Sequence, residues 1–519
     1  MSTLPPESQD DTVGEPAPPE VGALGRIVLR GAAFSSGGFA LEQCLTLGAA
    51  VVLAHLVTPE EFGIYASATI LLGYAAMFAD SGLQSAVIHR RDRAAEAAST
   101  AFAANVVTGI ALTVLAAGLA PVLGRFFHDS TITWVGVAMA ATVALNSLML
   151  IPDALLQREF SFVRRLFVSP SAALTFGVVA AIAAGFGLGV WSLVVGRYCS
   201  IVVELIVIWT LVNWRPRLSA MSISMWRSLA QYGRHIFAAS FLAQSRTAGI
   251  TALVGRFISV GAVGQLRYAN TIALLPRSTW TVSSSYVVFP AFARIAQDQA
   301  RFKAAFLRTL RWAGITTFPT SSILVPLAPS LVVLVLGEQW RQAGYAVMAL
   351  AGFAITGPLA SVLSEGLKGI GRPDVLSRAA LVSTIGTIVL VAAFLPLGVV
   401  GVAGACSIGS LLTVLFTLKL ALPLLGLEPR TIVRTLHPPM SATCAMLAVV
   451  FPLEWIVVQA DSYRTLVGLL LLVGESVVGF AVYVVVLRLL DREAVETLWR
   501  AVRALGARTV RRPSAQVLS

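Results

Sequence analysis

His55-Leu-Val-Thr-Pro-Glu-Glu-Phe-Gly-Ile-Tyr65 joins two long apolar runs, and Arg256-Phe-Ile-Ser-Val-Gly-Ala-Val-Gly-Gln-Leu266 joins two more. Setting Gly63 on Gly264 aligns the two segments at an offset of 201 residues. A second echo pairs Leu188-Gly-Val-Trp-Ser192 with Leu397-Gly-Val-Val-Gly401. Two such echoes in an apolar chain point to a duplicated helical unit, the internal repeat on which many transport folds are built.

The runs on either side are those of a membrane protein. The 519 residues are 57% hydrophobic and 12% charged, with a mean hydropathy of +0.81, whereas soluble domains carry roughly 25% charged residues. A helix needs about 20 apolar residues to span a bilayer. Fourteen segments qualify, near 31–57, 60–86, 97–123, 132–156, 166–186, 188–211, 233–255, 262–288, 310–334, 342–367, 375–396, 399–421, 436–457 and 464–488. With an even helix count and a cytoplasmic N-terminus, 30 of the 38 lysines and arginines fall in inner segments. Only Arg125, Arg256, Arg341 and Arg464 fall outside, and four lie within spans. That alternation is the positive-inside pattern, and it places both termini in the cytoplasm.

The expected fold is therefore an all-α polytopic membrane protein of about 14 transmembrane helices. Two six-helix lobes, related by a parallel repeat, surround a central cavity, and two C-terminal helices are extra. The predicted divisions are a disordered cytoplasmic tail (1–25), an N-lobe (26–211), an amphipathic linker (212–232), a C-lobe (233–424), the extra pair (425–489) and a basic amphipathic tail (490–519). The first 22 residues hold five prolines and five acids, unlike the basic and then apolar layout of a signal peptide. Met225-Trp-Arg-Ser-Leu-Ala-Gln-Tyr232, and Val495, Leu498, Trp499, Val502 and Leu505, read as interfacial anchor faces.

The net charge of +12 does not point to nucleic acid, because the arginines punctuate apolar segments instead of forming one face. A cytoplasmic membrane surface and its lipids explain the excess. Cys44, Cys199, Cys406 and Cys444 lack metal-ligand or disulfide spacing, and the five histidines are scattered. There is no nucleotide-binding fingerprint and no catalytic constellation, so no cofactor, metal or enzymatic activity is expected.

The informative residues are charges inside spans, each costing about 2.5–3.5 kcal/mol at a helix centre unless it faces a bundle interior or water. Arg197, Arg246, Arg267 and Arg277 lie on the sixth, seventh and eighth helices, which flank the junction between lobes. Gln244 shares the seventh helix, and Asn270 lies on the face of Arg267 and Arg277. Guanidinium groups stay charged and bind phosphate bidentately, so this set suits an anionic headgroup. The alternative is that each arginine pairs with an acid, for example Arg197 with Glu204. Glu42, Asp80 and Glu204 are candidate ion-coupling residues, and Glu365, one turn from Lys368, reads as an ion pair.

Several segments resemble the polysaccharide transporter branch of the multidrug/oligosaccharidyl-lipid/polysaccharide exporter superfamily, nearest to the colanic-acid and teichuronic-acid exporters. They are Leu53–Tyr65, Phe78-Ala-Asp-Ser-Gly-Leu-Gln-Ser-Ala-Val-Ile-His-Arg90, Leu155-Leu-Gln-Arg-Glu-Phe-Ser-Phe162, Leu188–Val194 and Tyr286-Val-Val-Phe-Pro-Ala-Phe-Ala-Arg294. The resemblance implies a flippase of the bacterial cytoplasmic membrane that moves a polyprenyl-pyrophosphate-linked saccharide outward by alternating access. It also implies proton or sodium coupling, and glycosyltransferases and a polysaccharide polymerase as partners. By position and chemistry it assigns Arg197, Arg246 and Arg277 to the pyrophosphate. A multidrug/cation antiporter or a lipid II flippase of the same superfamily is the alternative. An antiporter calls for acids in the cavity, and the four intramembrane arginines count against it.

Overall fold

The structure, a computed structural model, describes residues 21–80, 83–89, 93–158, 168–216, 222–493 and 496, and every regular element among them is helical. The N-terminal half holds α1 (Val21–Leu56), α2 (Pro59–Asp80), α3 (Leu83–His89), α4 (Ala94–Phe127), α5 (Ser130–Arg158), α6 (Val168–Gly185) and α7 (Val190–Leu211). The second half holds α8 (Ile223–Phe257), α9 (Val260–Ile295), α10 (Gln299–Ser322), α11 (Leu324–Leu336), α12 (Arg341–Ala349), α13 (Gly352–Gly369), α14 (Pro373–Phe394) and α15 (Gly398–Leu425). A final hairpin follows, formed by α16 (Pro429–Pro452), its π-helical extension Leu453–Val458, and α17 (Thr465–Leu490).

The motif that decides the fold has a local reason. Thr58 and Glu61 form a capping box: the Thr58 amide donates to Glu61 Oε2 at 2.8 Å, and the Glu61 amide donates to Thr58 Oγ1 at 3.3 Å. Pro59 occupies the first helical position, where its missing N–H costs nothing. Ser259 caps α9 at the equivalent place, accepting from the Ala262 amide at 3.0 Å. The second echo marks paired turns. Gly189 and Gly398 both have positive φ, at +54° and +68°, and each turn joins two helices that pack on one another, α6 with α7 and α14 with α15.

Eight runs among the described residues are long and apolar enough to cross a membrane, or nine with the bent pair α10–α11. One of the eight is the stretch Asp374–Leu425, which the Leu395–Leu397 turn divides into α14 and α15. α8 and α9 fall outside the count because they carry arginines and amides along their length. The chain is thus an all-helical, multi-pass membrane protein. Exposed apolar stripes agree: on α17, Leu466, Leu470, Val473 and Val477 are exposed, while Gly468, Leu472, Glu475, Gly479 and Tyr483 are buried. Only lipid makes the first face tolerable.

Four details differ from the sequence reading. The second helix stops at Asp80, and α3 is a separate element. The span expected at 310–334 bends by 43° between α10 and α11, where Pro319 removes a helical hydrogen bond and Pro326 stands in the first turn of α11. The span expected at 342–367 breaks between α12 and α13. The linker segment 225–232 is no separate helix but the start of α8, which runs unbroken to Phe257. The tail 1–20, and Val495, Leu498, Trp499, Val502 and Leu505 of the C-terminal tail, lie outside the described residues.

The halves meet in a tight seam at the end predicted to face outward. A Cβ on Gly63 would lie 1.8 Å from the Val260 carbonyl oxygen, and one on Gly264 would lie 2.1 Å from that of Pro59. Pro59 and Val260 are themselves one repeat apart, so the two contacts are the same contact made twice across a pseudo-two-fold axis. Around it, Tyr268 Oη donates to the Ala50 carbonyl at 3.0 Å, while Trp340 Nε1 and Gln339 Nε2 donate to that of Ala54 at 2.9 and 2.7 Å. Phe62 packs on Tyr268 and Trp340, with ring centroids 4.9 and 5.7 Å away.

Candidate functional site

Below the seam, α2, α5 and α7 of one half and α8, α9, α13, α14 and α15 of the other enclose a cavity of about 820 Å³. Among the described residues, Arg197, Arg246 and Arg267 line it, and no carboxylate does. Among the described residues none of the three makes an ion pair or a side-chain hydrogen bond. Arg246 and Arg267 thus have no acid partner among the described residues, and Arg197 has acids near it but none at ion-pair distance, so the low-dielectric helices focus a positive field on whatever enters.

The neutral lining is largely apolar, with a few polar side chains that present acceptors. Asn270 Nδ2 donates to the Leu266 carbonyl of its own helix at 3.0 Å, leaving its amide oxygen for the cavity. Thr247 and Thr251 also donate to their own helix, at 3.2 and 2.9 Å, and keep oxygen lone pairs for solvent or ligand. Gln244 presses on α2, where a Cβ on Gly73 would fall 2.2 Å from its Nε2. Tyr65 lies within electrostatic reach of both Arg197 and Arg267.

The structure therefore brings Arg197, Arg246, Arg267, Asn270 and Gln244 to one cavity. Arg267, near the outer end of its helix, lines it too. Arg277 falls within α9, one residue after Pro276, and its side chain lies outside the described residues.

A smaller pocket of about 340 Å³ opens beside the first, within the N-terminal half. Arg197 and Asn146 line both spaces, and Asp153 and Glu204 line the smaller one. Glu204 makes no ion pair with Arg197 among the described residues, but it feels Arg197, Asp153 and Glu42 electrostatically. Asp80 accepts the Gln84 amide at 3.2 Å, and the Gln84 side chain donates to Asp153 at 3.2 Å. Gln157 donates to the same Asp153 oxygen at 2.8 Å. Asp153 was missed in the sequence because it stands near the inner end of its span, beside Pro152 and shortly before Arg158. The signal available was an acid inside an otherwise apolar run. Glu365 pairs with Lys368 at 3.1 Å, as the spacing predicts. Among the described residues no group of histidine, cysteine and acid side chains is arranged to hold a metal.

With this geometry in view, the comparisons with known proteins become specific. Residues 52–344 match the polysaccharide biosynthesis protein family. The chain belongs to that family. The matched range contains every segment from 53 to 294 that carried the resemblance. The succinoglycan biosynthesis transport protein ExoT of Rhizobium meliloti (strain 1021) is 25% identical over 347 residues, covering 65% of this chain and 68% of ExoT. The lipopolysaccharide biosynthesis protein WzxC of Escherichia coli (strain K12) is 25% identical over 301 residues. That match covers 56% of this chain and 59% of WzxC, less than two thirds of its length. In three dimensions the chain is similar to the lipid II flippase MurJ in an inward closed conformation. The TM-score is 0.72 at 17% identity, over 89% of this chain and 99% of that one. That likeness speaks for the fold.

Proposed function

We propose that this protein is an exporter, not an enzyme, and that it moves a polyprenyl-pyrophosphate-linked saccharide precursor outward across the bacterial cytoplasmic membrane. The observation that carries the reading is a cavity lined, among the described residues, by three arginines that make no ion pair and by no carboxylate. A cation-exporting antiporter has no use for such a lining, whereas a pyrophosphate carries the charge it lacks. The transport function in the name of ExoT supports the same reading.

Size refines the cargo. Pockets for small ligands run to roughly 1,000 Å³, and a cavity of about 820 Å³ takes a pyrophosphate with a short oligosaccharide. A finished polymer is excluded. The apolar lipid tail stays in the bilayer, and glycosyltransferases and a polymerase act before and after the transfer. Fourteen spans with both termini in the cytoplasm, the divisions drawn from the sequence, and the seam closed toward the outside complete the reading. The structure is then the outward-closed state of an alternating-access cycle. Glu42, Asp80 and Glu204, with Asp153, supply the ion coupling. They act through Arg197, which can face either these acids or the cargo.

Replacement of Arg246 by alanine in a strain lacking the native gene tests this. We expect loss of surface polysaccharide at unchanged membrane levels of the protein. Normal export from Arg246→Ala and from Arg267→Ala alike would remove the cavity from the mechanism.

A further inference from the structure

Away from the cavity, two glutamates are buried together where the C-terminal hairpin meets the C-lobe. Glu454, in the π-helical segment, and Glu475, in the middle of α17, are each only 3% exposed. Their level in the hairpin is fixed by glycine contacts on either side. A Cβ on Gly479 would lie 2.8 Å from Val450, one turn below the pair, and one on Gly468 would lie 2.6 Å from the Ala460 carbonyl above it. The Glu475 carboxyl is in hydrogen-bonding contact with that of Glu454.

The donors available to the two acids are unequal. Glu454 accepts from Ser330 Oγ of α11, and from the Ala460 amide at 3.2 and 3.3 Å. Neither oxygen of Glu475 meets a donor among the described residues. Two carboxyl groups in contact in a low-dielectric interior cannot both be charged. The contact becomes a hydrogen bond only when a proton lies in it, and the donor balance puts that proton on Glu475.

Other charges do not offset the pair. α11 contributes no titratable group. On the loop above, Asp461 is taken by Arg341 at 2.9 Å. Arg464 and Arg488 stand at the two ends of α17, and Tyr483 donates to the Ile315 carbonyl at 2.9 Å. On α16, Arg430, Arg434 and His437 lie in the first turns, and Cys444 is exposed.

We propose that Glu454 and Glu475 form a site that binds one proton, and that this proton fastens the C-terminal hairpin to the C-lobe through Ser330. The duplicated unit ends with α15, so the hairpin has no repeat partner to hold it. Lipid supplies no hydrophobic drive for helices to associate, which leaves hydrogen bonds and close packing to do so. The bridge runs from Glu475 through its proton to Glu454 and on to Ser330, and it links all three elements. Unfolding releases the proton at neutral pH, so rising pH favours the unfolded side of the balance. The inference rests on the hairpin's packing and is independent of the cargo proposed above.

The test is infrared spectroscopy of the purified full-length protein in lipid nanodiscs, wild type against Glu475→Gln, at neutral pH. We expect the variant to lose one protonated-carboxyl C=O band and to keep its thermal midpoint, because the glutamine amide donates to Glu454 as the acid does. On raising the pH, the wild-type midpoint should fall further than that of the variant. A well-folded variant whose difference spectrum shows no carboxylic-acid band overturns the proposal. So does a wild-type midpoint raised by sodium but not by choline at equal ionic strength, if Glu475→Gln abolishes that response, since the site is then one for a metal cation. Should Glu475→Gln fail to fold, Glu454→Gln decides. It should retain the band at a shifted frequency, and loss of the band there also overturns the assignment.

Discussion

Substituting alanine at Gly264 should pry open the outer seam, and the size of the effect can be worked from the contact. The added Cβ would sit 2.1 Å from the Pro59 oxygen and 3.2 Å from the Gly63 amide nitrogen. Both are backbone atoms, so no side chain can turn aside and the lobes must separate. Overpacking of this kind costs about 1–3 kcal/mol, which multiplies the open-to-closed ratio by about 5–150. Against it stand three hydrogen bonds to α1, each worth about 0.5–1.5 kcal/mol net. The seam should therefore be loosened without being abolished. Gly63→Ala, whose Cβ would meet the Val260 oxygen at 1.8 Å, should act alike. The double variant should exceed either single one only slightly, because one separation relieves both contacts. Cys406 lines the cavity and is buried, so it reports opening. In a protein whose other three cysteines are replaced, its labelling by a membrane-impermeant maleimide added from outside should accelerate by the same factor of about 5–150. Gly48→Ala, with open space around its Cβ, is the control and should leave labelling unchanged. Unchanged labelling in folded Gly264→Ala would refute the claim that this contact closes the outer face.

Three further outcomes are expected. Arg246→Ala should weaken binding of a polyprenyl pyrophosphate to nanodisc-held protein by about 10–100-fold, since a charge-assisted hydrogen bond is worth about 1.5–3 kcal/mol. Arg246→Lys should fall between, keeping the charge but losing the fork, and the thermal midpoint should hold or rise because no counter-ion is stranded. A reporter enzyme fused after Gly187 should score outside the cytoplasm, and a cytoplasmic score would break the fourteen-helix reading. In the loop before α12, the Arg341 guanidinium holds the exposed Glu338 carboxyl below the usual carboxylate range. Any stability from that pair is present near neutrality and lost as pH falls through the folded-state titration of Glu338. The bond from Arg341 to Asp461 adds at most about 1 kcal/mol, so Arg341→Gln should lower the midpoint only slightly at neutral pH and flatten its acid limb.

What could be read beforehand follows a physical line. The repeated segments around Gly63 and Gly264 and the arginines within spans were visible because each is a local exception, and an exception in an apolar chain needs a reason. The same logic located the cavity: Arg197, Arg246 and Arg267 are too expensive for lipid, so water or cargo had to meet them. The bends were not visible. Pro276, Pro290, Pro319 and Pro329 all sit within helices, yet the sharp break falls between α10 and α11, a choice made by packing and not by proline alone. Asp153 escaped for a related reason. Its partner Gln84 is 69 residues away, and only the fold brings them together.

The placement of the acids bears most directly on how the cavity works. Glu42, Asp153 and Glu204 lie within one half, close enough to act on one another, yet none lines the larger space. Had they faced the three arginines, the charges would have cancelled, and the proposed grip on phosphate would be lost. Keeping them behind Arg197 leaves a positive cavity and a negative pocket that share the Arg197 side chain. On the function proposed above, a guanidinium turned toward Glu204 and Asp153 would be withdrawn from the cargo, and one turned toward the cargo would leave those acids to find a proton or a cation. Glu204→Gln should therefore raise affinity for a pyrophosphate lipid while reducing net export, because release is no longer helped by the returning carboxylate. If affinity and export instead fall together, Glu204 supports the site structurally and the competition for Arg197 does not exist.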